Sequence, residues 1–339
     1  MRSTFIHSTT VLLASVFPIT VTGETLLGCA AINCPNLSPD HEETSCQVQE
    51  QDHTWVGIET VPNPIDASAG NFTWTLGVQP EPYLHGGHVN IPGVTRSFYL
   101  GTPPGTDLAN ASYTGCALIF DRPDSHGFVP PYGSGDPTQV TSDSCSWGLG
   151  MDTGDQCLED LQAAAFEIAA AATDEQNSTT ICTNIADSIS GTAPASCSRL
   201  QQNDIYPYTV YPVVLTGSNA PKPISSYTNA SSNCWPTLPK TNELTPLYSF
   251  NYSTNDSFSW FAYSPVMSLF FDTENSASSS DRLRQSSFHC LKAIDSNDFA
   301  NAIETNGSGM NGAAGRGSSI GWTASLLTIV TMTVMYLAA

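Results

Sequence analysis

The chain has 339 residues, with 31 Asp and Glu against 10 Lys and Arg, for a formal charge of −21. A surface this acidic repels nucleic acid and anionic lipid, so neither is expected as a partner. The length suffices for one large domain or two small ones.

The two ends read as processing signals. Arg2 precedes a short apolar run, Val11 to Ile19, which is followed by Val21-Thr22-Gly23. That is the layout of a secretory signal peptide cleaved after Gly23, so residues 1–23 are assigned to it. The run is too short to cross about 30 Å of hydrocarbon, and Pro18 interrupts it. At the other end, residues 303–319 form a Gly/Ser-rich stalk holding Asn311-Gly312-Ala313. Residues 320–339 are uncharged and mostly apolar, with nothing basic after them. Small residues, a spacer and a terminal apolar tail are what a GPI attachment signal requires. Asn311 is the expected attachment residue, with Ser308 and Gly312 as alternatives. A transmembrane helix would normally carry Lys or Arg on its cytoplasmic flank.

Secretion fits the cysteine usage. Cys29, Cys34, Cys46, Cys116, Cys145, Cys157, Cys182, Cys197, Cys234 and Cys290 are even in number and show no Cys-x-x-Cys spacing. Disulfides are therefore expected rather than zinc, and the spacing leaves the pairing open. Eight sequons, at Asn36, Asn71, Asn110, Asn177, Asn229, Asn251, Asn255 and Asn306, mark candidate surface glycosylation sites.

Along the chain, residues 24–50 read as a disulfide-tied loop segment, and residues 51–302 as the ectodomain. Strand signals fill 51–121 and 206–294. In the first stretch they lie at Thr54–Val61, Phe72–Val78, Val94–Leu100 and Gly115–Phe120, bounded by Pro, Asn and Gly. A helical insert of about 145–200 interrupts them. Leu158, Leu161, Ala165, Ile168 and Ala172 recur at helical spacing with Asp155 as N-cap, and Cys182, Ile185 and Ile189 repeat the pattern. A disulfide from Cys157 or Cys182 is expected to staple this helical pair, with Cys145 and Cys197 closing its base. Tyr206–Leu215 resumes the strands, with Pro207 and Pro212 favouring an edge. Leu247–Tyr252 and Phe258–Tyr263 read as a hairpin with a glycosylated tip, Val266–Phe271 as an apolar strand and Thr273–Ser287 as a loop. The expected fold class is α+β: a mainly β-sandwich-like body carrying a disulfide-tied helical hairpin.

Chemistry is sparse at this level. No Gly-x-Ser-x-Gly elbow occurs, and no cofactor motif. His85-Gly86-Gly87-His88 places two imidazoles three residues apart, which can hold copper or zinc given a third ligand such as His53 or His126, although a solvated turn is the simpler reading. The densest carboxylate pairs are Asp152/Asp155 and Asp121/Asp124, both better read as turn or capping residues. Trp55, Trp74, Trp147, Trp235, Trp260 and the Phe258–Tyr263 stretch are available for sugar stacking, with core packing as the default.

Ser97-Phe98-Tyr99-Leu100-Gly101-Thr102-Pro103, Tyr113-Thr114-Gly115-Cys116-Ala117-Leu118 and the cysteines around the Ala-rich helix, together with the two terminal signals, carry a resemblance. The chain resembles the secreted, GPI-anchored, cysteine-rich glycoproteins of filamentous ascomycete fungi. That resemblance implies the outer face of the plasma membrane or the cell wall as location, and no catalytic residue. The expectation is a non-enzymatic surface glycoprotein acting in wall organisation or adhesion. The alternatives are a glycan-binding or glycan-processing ectodomain, and metal binding through His85 and His88.

Overall fold

A computed structural model describes residues 46–64, 66–86, 89–121, 154–172, 176–197, 200, 209–224, 234–253, 264–272, 283–291 and 293. Ten strands and two long helices lie among them. The strands are β1 (Cys46–Val48), β2 (Gln51–His53), β3 (Trp55–Pro62), β4 (Asn71–Gly86), β5 (Val89–Thr102), β6 (Tyr113–Asp121), β7 (Thr209–Val214), β8 (Glu243–Ser253), β9 (Ser264–Asp272) and β10 (Leu283–Leu291). The helices are α1 (Gly154–Ala171) and α2 (Ser178–Gly191). Two four-stranded sheets have the orders β3-β4-β5-β8 and β10-β9-β6-β7, and β1 pairs with β2 apart from them. Every pairing is antiparallel.

The period-2 alternation of β4 explains how the first sheet is covered. Phe72, Trp74, Leu76 and Val78 enter a core shared with the second sheet through Ala117, Ile119, Val213, Val266, Phe270 and Leu291. The residues between them serve the opposite face. Thr73 Oγ1 donates to the Leu238 carbonyl at 2.7 Å, and Thr75 Oγ1 donates to the Pro236 carbonyl at 2.7 Å. The threonines thus hold the segment 234–242 across the sheet. The Asn242 amide donates to the Asn71 carbonyl at 2.9 Å, and Cys234 N donates to the Gln47 carbonyl of β1 at 3.1 Å. Beneath this cover a smaller apolar cluster gathers Cys46, Val48, Val56, Ile58, Tyr99, Ile224 and Leu244.

Gly77 completes the outward row of β4. A Cβ there would stand 2.5 Å from the His53 ring, so only glycine lets β2 close down at this point. His53 is fully buried. Its Nε2 lies 2.8 Å from the Tyr99 hydroxyl, and its Nδ1 has no hydrogen-bond partner among the described residues. Burial pushes the His53 pKa down to about 3 and holds the Tyr99 phenol above its usual range.

The second sheet is covered on both sides. All nine residues of β6 are buried. Ala117 and Ile119 face the first sheet, while Cys116, Leu118 and Phe120 face the helices. β9 divides in the same way, with Val266 and Phe270 on one side and Met267, Leu269 and Phe271 on the other. α1 contributes Cys157, Leu158, Leu161, Ala165 and Ala169 to this outer layer, and α2 contributes Ile181, Cys182, Ile185, Ala186 and Ile189, both at helical spacing. The Asn177 side chain caps α2 by accepting from Thr180 N at 2.9 Å.

Two disulfides fasten the helices. Cys116–Cys182 joins β6 to α2 across 66 residues, and Cys157–Cys197 ties α1 to the chain after α2 across 40 residues. Loop-closure entropy gives each a stabilisation of about 4 kcal/mol. Cys234 and Cys290 are also disulfide-bonded.

Several expectations are corrected. The base of the helical pair is closed by Cys157 with Cys197, not by Cys145 with Cys197, because Cys157 on the buried face of α1 meets Cys197 directly. α1 begins at Gly154, so Asp155 lies in its first turn and does not precede it. The segment 24–50 is not loop throughout, since Cys46–Val48 pairs with Gln51–His53. The expected loop Thr273–Ser287 ends early: β10 starts at Leu283, and its serines belong to the ladder, Ser287 opposite Ser268 with their hydroxyls 2.7 Å apart. β8 pairs with β5, whereas Phe258–Tyr263, its expected hairpin partner, lies outside the described residues. So do both processing signals, Cys29, Cys34 and Cys145. Pro212 does sit in an edge strand, since β7 ends its sheet among the described residues.

Two outcomes are expected. Gly77→Ala forces its new methyl into the His53 ring and should lower unfolding stability by about 1–3 kcal/mol in urea titration. His53 is neutral in the fold down to about pH 3 but protonates near 6.5 when unfolded. The unfolded chain therefore binds the extra proton, and stability should fall as pH drops from 6.5 towards 3, by up to about 5 kcal/mol. His53→Gln should flatten that slope.

Candidate functional site

Two groupings stand at opposite sides of the paired sheets. Among the described residues, β3 and β10 are the terminal strands on one side, and β8 and β7 are the terminal strands on the other. Three strand spacings separate the two sides, about 14 Å.

At the β3/β10 side the shared core contains a polar row. Glu59 of β3 and His289 of β10 are both buried, with the Glu59 Oε1 3.1 Å from His289 Nδ1. On the other nitrogen, His289 Nε2 lies 2.9 Å from Ser268 Oγ and 3.0 Å from Ser287 Oγ. With a neutral imidazole, Nδ1–H donates to the carboxylate, and Nε2 is left to accept from one serine. The second serine then donates to the first across their 2.7 Å contact. The Trp74 ring lies against His289 at 5.3 Å between centroids and 31° between planes. Strand parity places these groups. Ser287 and His289 are two apart on β10 and share its inward face, and the register sets Ser287 opposite Ser268.

At the other side, aromatic rings line the gap between β7 and β8. Tyr211 stacks on Tyr248 at 5.0 Å and on Phe250 at 6.0 Å, and Phe250 continues to Phe98 at 5.9 Å. Tyr211, Tyr248 and Phe250 are half-buried, so part of each remains open to solvent. The Tyr248 phenol is raised by burial first, then by the neighbouring charges of Tyr211 and Asp121. Half-buried stacked rings suit contact with the apolar face of a sugar.

The residues singled out from the sequence are differently distributed. Trp55 and Trp74 are core residues. Trp235 is half-buried and donates its indole N–H to the Asn242 carbonyl at 2.7 Å. Trp147 and Trp260 lie outside the described residues. Asp121 is buried at the end of β6, and Asp124 and Asp152, the other members of the two carboxylate pairs, lie outside the described residues. His85 and Gly86 end β4 opposite Asn90 and Val89, and His88 is not described. His53 cannot be their third ligand: it packs at Gly77, eight residues before His85 on the same strand, or roughly 25 Å along it. Among the described residues no three His, Cys, Asp or Glu side chains gather as a metal site. The glycosylation candidates Asn71, Asn110, Asn177 and Asn251 are all exposed.

No protein-family model matches the chain, and no curated protein or solved structure matches it either.

The polar row was not legible beforehand because Glu59 and His289 are 230 residues apart. The one local cue was Ser287-x-His289, which places a hydroxyl and an imidazole on one face of any strand.

Removing one partner of the buried pair exposes the other to an unsatisfied, desolvated site. Glu59→Ala should therefore lower stability by about 3 kcal/mol, and the double replacement Glu59→Leu with His289→Leu should recover much of that loss, as read by a double-mutant cycle in urea.

Proposed function

We propose that the protein is a secreted, N-glycosylated surface protein, held by a GPI lipid on the outer face of the plasma membrane or passed to the cell wall. Its β-sandwich-like ectodomain acts in wall organisation or adhesion by contacting wall polysaccharide. The observation that carries this reading is the pair of disulfides through the centre of the fold, Cys116–Cys182 and Cys157–Cys197. Such crosslinks persist in an oxidising compartment and are rare in the cytosol. The terminal signals and the resemblance to fungal GPI-anchored glycoproteins support the same placement. Asn177 can carry a glycan without losing its cap, since the cap uses Oδ1 and the glycan uses the amide nitrogen.

The polysaccharide contact is assigned to Tyr211, Tyr248 and Phe250. These rings are partly open and sit at the edge of both sheets, and the net negative charge of the chain favours hydroxyl-rich neutral polymers over anionic ones.

Phosphatidylinositol-specific phospholipase C should release the protein from intact membranes. Retention together with an intact C-terminal tail would reject the anchor. The purified ectodomain should bind a neutral wall polysaccharide in a pull-down, and Tyr211→Ala with Tyr248→Ala should weaken that binding at least about tenfold. Equal binding by the double variant would remove the aromatic rings from the interface.

A further inference from the structure

We propose that Ser287, His289 and Glu59 form an acyl-transfer site that hydrolyses short-chain carboxylic esters, independently of the polysaccharide contact at the opposite edge. The row has the order such chemistry requires: carboxylate, imidazole through Nδ1, then hydroxyl at Nε2, with separations of 3.1 Å and 3.0 Å. These roles are defined by geometry and recur on unrelated folds, so the lack of a Gly-x-Ser-x-Gly elbow does not bear on them.

Burial distinguishes the members. Glu59 and His289 are buried, which fixes the ring orientation and strengthens the carboxylate–imidazole contact. Two hydroxyls reach Nε2, but Ser268 is buried on the inner strand β9 while Ser287 is half-buried on β10. β10 is a terminal strand among the described residues. Ser287 is therefore the nucleophile, and Ser268 positions it through their 2.7 Å hydrogen bond. Trp74 closes the floor behind His289. Ser287 is the half-buried member of the row, so a small acyl group is the substrate part assigned to it.

The reaction balances without a cofactor. Ser287 Oγ adds to the acyl carbon and its proton passes to His289 Nε2. The C–O bond to the alcohol breaks, and the alcohol leaves with that proton. Water then gives a proton to Nε2 and adds to the acyl-serine. The carboxylic acid departs and the proton returns to Ser287 Oγ. Glu59 accepts the Nδ1–H of His289 and steadies the imidazolium.

The test uses the secreted, oxidised protein. A fluorophosphonate probe should label it stoichiometrically, with the adduct mapped to Ser287 by peptide mass spectrometry, and p-nitrophenyl acetate should be turned over. Ser287→Ala should abolish labelling and reduce turnover at least about 100-fold. Ser249→Ala, an exposed serine on β8, should change neither. For Glu59 as a positioning residue, Glu59→Gln should lower kcat at unchanged KM, measured on the folded fraction. An unlabelled wild-type protein, an adduct on Ser268 or elsewhere, or full turnover by Ser287→Ala overturns the proposal. Because the first readout needs no variant, a folding failure cannot mask the result.

Discussion

The fold depends on the burial of β6 and β9 from both sides. Each strand sends alternate side chains into two separate cores, one shared with the first sheet and one shared with the helices. An unpaired charge is costly on either face, and neither layer can move without exposing the strand between. The Cys116–Cys182 bridge makes that dependence covalent, since it leaves the outward face of β6 and enters the buried stripe of α2. The position of every group discussed above follows from this central sheet. It sets β10 against β3 on one side and β7 against β8 on the other.

Much of this was legible where one strand or helix determines its own pattern. The alternation Phe72-Thr73-Trp74-Thr75-Leu76 marks a strand with two different faces, and the fold uses the threonines to bind a covering segment. The unbroken burial of Val266–Phe271 matches its apolar run, because a strand covered on both faces has no need of a polar side. α2 buries Cys182, Ile185 and Ile189 as their spacing predicts, and α1 buries Leu158, Leu161 and Ala165, while Ile168 is only partly buried and Ala172 lies past the helix end. The failures are equally physical. Leu283–Ser287 reads as loop because its serines lack β-propensity, yet cross-strand hydroxyl contacts and the ladder with β9 hold it extended. Gly77 and His53 show no mutual signal in the sequence, since the fit of an imidazole over a missing Cβ exists only once β2 is laid on β4.

Site chemistry was the least legible part. Each of its elements is unremarkable alone: a glutamate in a strand, a histidine near a cysteine, one serine in an apolar strand and another in a serine-rich stretch. Their meaning comes from pairing β3 with β10 across the interior, a contact between distant parts of the chain. The aromatic edge has the same origin. Tyr211 precedes Pro212 in one sheet and Tyr248 belongs to the other, and stacking at 5.0 Å appears only when the two sheets face each other. The tryptophans, more conspicuous in the sequence, went to the core in the cases of Trp55 and Trp74, where their area is best used.

The order of strands has a consequence for biosynthesis. β5 waits for β8, with Arg96 pairing to Phe250, and β6 waits for both β7 and β9. Neither sheet can be finished until the last third of the chain has left the ribosome. At translation rates of about 5–20 residues per second, the early hairpin of β4 and β5 spends many seconds with an unsealed flank. Glycans added at Asn71 and Asn110 in that interval would keep nascent chains apart while the hairpin waits for its distant neighbours.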